Sequence, residues 1–127
     1  MIQGRFGDNG ELIFEIELIT GDGDVIPVDV LLDTGFTNGY LAIHAADIVD
    51  LGWQKLSPER VKLKTAQGQA YFELYEGKVT VDGKEFIVPV HCGEELPEIL
   101  FGQRWLDLMK LVVNKPEGIL TLEYMGS

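Results

Sequence analysis

One cysteine, Cys92, stands among the 127 residues, so no disulfide can form within the chain. That usage suits a reducing cytosol. Histidine is almost as scarce, and neither His44 nor His91 has neighbours at a zinc-site spacing. His91 and Cys92 are adjacent in a strand-like run, where neighbouring side chains point to opposite faces and cannot converge on one ion. Positive charge is the next shortage: 10 Lys and Arg against 21 Asp and Glu leave a formal charge of −11. A surface of that sign repels phosphate backbones and argues against nucleic acid as a partner. Lys62 and Lys64 come nearest to a basic cluster. No apolar run approaches the length of a membrane span, and Met1 to Asp8 lack the apolar core of a secretory signal. The expectation is a cytoplasmic protein without a membrane partner, metal or cofactor.

Other chemistry is missing as well. Ser57 and Ser127 have no nucleophile signature around them. Gly21-Asp22-Gly23 is a turn rather than a phosphate loop, because no helix follows it. There is no internal repeat, linker or low-complexity tract. A chain of this length holds one core, so residues 1–127 are read as a single domain. With 46% hydrophobic residues the composition is that of a folded protein rather than a disordered one.

What is present reads almost entirely as β-structure. Leu12, Phe14, Ile16 and Leu18 alternate with Glu11, Glu15 and Glu17, the period of a half-buried strand. A second strand covers 25–33, with Val28, Val30 and Leu32 on one face and Asp29 and Leu31 on the other. A short strand is expected over 40–43, then a short helix over 44–51 stopped by Gly52, with His44 at its start on the surface. Segments 61–63 and 70–75 flank the polar turn Ala66-Gln67-Gly68-Gln69 and form a projecting hairpin. Asp82-Gly83 joins strands 79–81 and 84–90 in a two-residue hairpin. Pro27 and Pro89 should fall on edges or bulges. A helix over 103–110 would put Trp105, Leu106 and Met109 on one face, and 119–124 forms the last strand. Trp53 and Trp105 belong to the core or an interface. Many short strands with one or two short helices give an all-β fold, a small closed barrel or sandwich.

The most informative run is Leu31-Leu32-Asp33-Thr34-Gly35. An apolar strand delivers Asp33 onto a Thr-Gly turn, so packing holds the backbone while the turn presents the carboxylate. Alone, Asp-Thr-Gly is ordinary turn chemistry. Far downstream, however, Ile99-Leu100-Phe101-Gly102-Gln103-Arg104-Trp105-Leu106 repeats the theme of an apolar strand running into glycine and a short helix.

With the hairpin between these two units, the chain resembles the retropepsin-like aspartic proteases from about Leu12 to Tyr124. The run Asp33-Thr34-Gly35-Phe36-Thr37-Asn38-Gly39 is more similar to the small prokaryotic members, although Asn38 separates Thr37 from Gly39. The resemblance implies a small closed β-barrel and an aspartic endopeptidase acting on extended polypeptide. It implies Asp33 as the catalytic carboxylate, with Thr34 tying two active-site loops together and Gly35 giving close backbone approach. Phe36, Thr37 and the flap residues Ala66, Gln67, Gly68 and Gln69 become the implied substrate contacts. Leu100-Phe101-Gly102 becomes a brace under the active-site loop.

Such chemistry uses two carboxylates, and the chain has one Asp-Thr-Gly. A homodimer is therefore implied, with the first and last strands as candidates for its shared sheet. A non-catalytic peptide-binding or scaffolding module on the same fold is the alternative. Asp33, Thr34 and Gly35 occurring together favour the enzyme, because a binding module needs no such combination.

Overall fold

The computed structural model describes residues 1–65 and 68–126. Ala66 and Gln67 of the hairpin turn, and Ser127, lie outside the described residues. The strands run β1 (Ile2–Gln3), β2 (Arg5–Phe6), β3 (Leu12–Ile19), β4 (Val25–Leu32), β5 (Leu41–His44) and β6 (Gln54–Lys55). They continue as β7 (Val61–Thr65), β8 (Gly68–Val81), β9 (Lys84–Gly93), β10 (Ile99–Phe101), β11 (Met109–Asn114) and β12 (Ile119–Tyr124). Between β5 and β6 a short helix α1 (Ala45–Ile48) continues as a 3-10 turn over Val49–Leu51.

Six strands close a barrel in the order β3-β4-β10-β5-β9-β8, with β8 returning to β3. Closure removes most of the open sheet edge that a flat sheet of this size would expose. The alternation in β3 is realised as expected: Phe14, Ile16 and Leu18 are buried, and Glu15 and Glu17 are exposed. Val30 of β4 enters the same core, with Val28 and Leu32 packed against it. Leu31, on the other face, joins a second cluster formed by Phe36, Ala42, Phe72, Leu96 and Leu100. The barrel thus has a main core and a smaller one beneath the Asp33 loop.

The Asp82-Gly83 hairpin forms with φ of 52° and 71°, and Val81 pairs with Lys84. Two consecutive positive φ values are those of a type I′ turn, whose twist matches that of the strands. Pro27 pairs with Glu17 of β3 alone, and Pro89 with Glu76 of β8 one residue before β9 meets β5. Both prolines therefore sit where a strand has a neighbour on one side only, among the described residues.

Two expectations change. The helix over 103–110 is only a 3-10 turn, Gln103–Asp107, and Met109 and Lys110 already belong to β11. Trp105 and Met109 do reach one core, but Met109 arrives from a strand. The run Leu111-Val112-Val113 favours a strand through its β-branched residues, and pairing with β12 along six residues secures it. The first and last strands are also already paired within one chain, Ile2 with Leu122 and Gln3 with Thr121. Because β12 lies between β1 and β11, the edges of this three-stranded sheet are β1 and β11 rather than the last strand.

Among the described residues β7 pairs only with β8, so the hairpin leaves the barrel as an arm over 61–65 and 68–72, while 73–75 pair with β9 in the barrel wall. No helix among the described residues is long and apolar enough to cross a membrane.

Candidate active site

β4 ends at Leu32 and hands the chain to Asp33 beside a parallel neighbour, β10, with Leu32 facing Phe101. The Asp33 N–H donates to the Phe101 carbonyl at 3.0 Å, which continues the ladder one residue past the strand. Asp33 is 6% exposed. Its Oδ1 accepts the Gly35 N–H at 2.9 Å, and its carbonyl accepts the Phe36 N–H at 3.1 Å. Carboxylate and backbone are thus held by one tight turn, while Thr34, Gly35 and Thr37 stay exposed.

The Gly102 segment clasps this loop from below. Gly102 N–H donates to the Tyr40 carbonyl at 2.7 Å, Gln103 N–H to Phe36 at 2.9 Å and Arg104 N–H to Gly39 at 3.3 Å. Trp105 adds its indole N–H to the same Tyr40 carbonyl at 2.8 Å. It stacks on Phe101 with ring centroids 5.2 Å apart and an angle of 3° between planes. Four donors from one short segment therefore fix residues 36–40.

Glycine is required at position 102. A Cβ there would run into the Gly39 carbonyl oxygen and lie 3.0 Å from the Phe36 ring. The contribution of Gly39 and of the Tyr40 carbonyl was invisible in the sequence, since main-chain acceptors leave no mark on residue type.

Phe36 differs from its implied role as a substrate contact. It is fully buried, against Phe72, Leu100 and the His91 ring, and so shapes the loop from beneath. The reason is local: Gly35 turns the chain back, and the next large apolar side chain falls into the smaller core. In the arm, Gly68 and Gln69 are exposed, and Gly68 has φ +113° with open space where a Cβ would stand. Ala66 and Gln67, the other implied flap contacts, lie outside the described residues.

The remaining polar candidates have structural partners. His44 caps α1, its Nδ1 accepting the Ala46 N–H at 2.9 Å. Trp53 donates its indole N–H to the Ile19 carbonyl at 2.8 Å. His91 and Cys92 are both 6% exposed and face different clusters. Burial, with the Glu73 carboxylate second, pushes the Cys92 thiol up from its ordinary range. Among the described residues no three His, Cys, Asp or Glu side chains group as metal ligands would. A groove of about 500 Å³ lined by Arg60, Tyr71, Glu73, Tyr75, Cys92 and Glu94 lies beside the stem of the arm and is not lined by Asp33.

Comparison with known proteins places the fold. No family model matches the sequence, and no curated protein matches it either. Solved structures do. A retropepsin-like aspartic protease from Rickettsia conorii superposes with a TM-score of 0.60 at 21% identity, over 100% of this chain and 91% of that one. EIAV protease in complex with an inhibitor superposes with a TM-score of 0.59 at 15% identity, over 80% of this chain and 90% of that one. The barrel, the Asp33 turn and the clasp at Gly102 are set in a retropepsin-like fold.

Proposed function

We propose, from that fold and from the Asp33 turn within it, that the protein is an aspartic endopeptidase that works as a homodimer on extended polypeptide. The observation that carries this reading is the buried Asp33 carboxylate at the end of β4, oriented by the Gly35 N–H and clasped by the Gly102 segment. The structural neighbours named above are a retropepsin-like aspartic protease and a second protease, which supports a peptidase.

The mechanism follows from carboxylate chemistry. Two carboxylates brought into contact retain one proton between them, because both cannot stay ionised side by side. The ionised one removes a proton from a water, and that water attacks the scissile carbonyl. The protonated one polarises the carbonyl and then supplies the proton to the leaving amide nitrogen. One chain carries one such turn, so the second Asp33 comes from a partner copy. Extended peptide would lie as an added strand between the two Asp33 turns and the arms. In this reading Gly68 and Gln69 of the arm contact it, as does Thr37 on the exposed rim of the turn. Sharing of one proton makes mild acid the expected working range. Acid also relieves the repulsion between two subunits of formal charge −11.

Assembly is the first test. Sedimentation equilibrium at micromolar concentration and mildly acid pH should return a dimer, weakened at low salt where repulsion is least screened. A strict monomer that still cleaves peptides would overturn the dyad. The arm gives the second. Gly68→Val forces a β-branched residue into φ +113°, a strain of roughly 1–3 kcal/mol. Gly68 and Gln69 are exposed and pair with β7 rather than with a barrel strand, so the strain stays in the arm. The expected result is a lower kcat/KM with a melting temperature within a few degrees of wild type. Unchanged turnover would remove the arm from the site.

A further inference from the structure

His91 lies outside the chemistry just described, yet it sits at a junction. Its ring meets the Phe36 ring edge-to-face at 5.2 Å and the Phe72 ring at 6.0 Å. Phe36 belongs to the turn that carries Asp33, and Phe72 to the stem of the arm, where it pairs with Val61 of β7. The residue is 94% buried by its 6% exposure. One side of the ring hydrogen-bonds the Leu41 backbone, and Nδ1 has no hydrogen-bond partner among the described residues.

We infer that His91 is a pH-sensitive joint, which in its neutral form holds the Asp33 turn against the stem of the arm and on protonation releases the two from each other.

Among the described residues the surroundings offer the Nδ1 of an imidazolium no acceptor. From β5 come Leu41 and Ala42, from β8 Phe72 and Leu74, and from the turn Phe36. Glu73 on β8 stands opposite Cys92, on the other face of the sheet, where Lys55 pairs with it at 3.0 Å and Arg60 lies at 4.0 Å. Glu94 and Glu95 line the groove on that same Cys92 side. Asp33, three residues before Phe36, is held by its own turn. Ring faces attract a cation weakly, but a charge without an acceptor in an apolar site is strongly disfavoured. Burial accordingly pushes His91 down to about 4 from 6.5.

The sign follows. The unfolded chain takes up a proton near 6.5 and the folded chain only near 4. The stabilisation is therefore complete above 6.5 and is lost progressively as pH falls toward 4. Acid that favours the shared proton of the Asp33 pair thus loosens the scaffold holding it. The joint itself depends only on the packing, not on proteolysis.

The test needs no substrate. Thermal melts of wild type and His91→Leu are compared between pH 6.5 and 4.5, with His91→Gln as a second neutral side chain. Wild type should lose on the order of 10 °C more than either variant over that range. Amide exchange at residues 33–39 and 68–75 should quicken in wild type with acid and change little in the variants. Parallel melting curves would overturn the joint, as would a loss of protection spread evenly around the barrel. Should neither variant fold, the His91 ring is titrated in wild type by NMR. A midpoint well below 6.5 that moves the Phe36 and Phe72 ring signals supports the joint, and an ordinary midpoint overturns it.

Discussion

Asp33→Asn removes the base of the proposed reaction and should lower kcat by about 10²–10⁴-fold or more, with the folded dimer intact. The amide keeps the size of the carboxylate, and its oxygen can still accept the Gly35 N–H that Oδ1 accepts at 2.9 Å. That bond of the turn is therefore kept. An asparagine cannot take a proton from water, and in the dimer both copies are lost together. Digestion of a peptide library by wild type and variant side by side reads the effect, with circular dichroism and sedimentation confirming that fold and assembly persist. Retained cleavage in the variant would refute the aspartic mechanism. Wild type that cleaves nothing from mild acid to neutral, yet binds peptides, would shift the assignment to the binding module.

Gly102→Ala should be strongly destabilising. Gly102 has φ −79° and ψ 167°, ordinary for alanine, so no backbone strain is involved. The damage is steric. The new Cβ meets the Gly39 carbonyl oxygen, a backbone atom that cannot swing aside. Moving it would break the Arg104 N–H bond to Gly39 and disturb the Gln103 N–H bond to Phe36. A loss of about 3 kcal/mol or more is expected, the upper part of the overpacking range, together with loss of cleavage because the Asp33 turn shifts. Gly118→Ala is the control: nothing lies within 4 Å of its Cβ position, and only its φ of +68° opposes alanine. It should lose about 1 kcal/mol, the cost of a Cβ in the left-handed region. Urea unfolding of both variants decides the matter. Equal losses would mean that the two loops are not in contact.

Much of this architecture was legible before any coordinates. The alternation of β3, the split faces of β4 and the Asp82-Gly83 hairpin follow from the period-2 pattern and from turn chemistry, which act within a few residues of one another. The helix expected over 103–110 failed for a related reason. Trp105 and Met109 fit a helical spacing by coincidence, and only the partner strand β12 distinguishes Met109–Asn114 as a strand. The last strand looked available for a partner because its neighbours, β1 and β11, are set by pairing between distant segments.

The sequence by itself determined which groups are present: a single Asp-Thr-Gly at the end of an apolar strand and an excess of carboxylates. Local rules suffice there, since residue type dictates which groups can take up or release a proton. The tertiary structure alone decided how that aspartate is held. Backbone N–H groups of residues 102–104 reach carbonyls more than sixty positions earlier in the chain, and main-chain donors look the same in every residue. It also decided that Phe36 packs inward, and that His91 fills the space between Phe36 and Phe72 with one ring nitrogen unpaired among the described residues. Burial and the absence of a partner are properties of what surrounds a residue, and in a closed barrel those surroundings come from four or five separate stretches of chain.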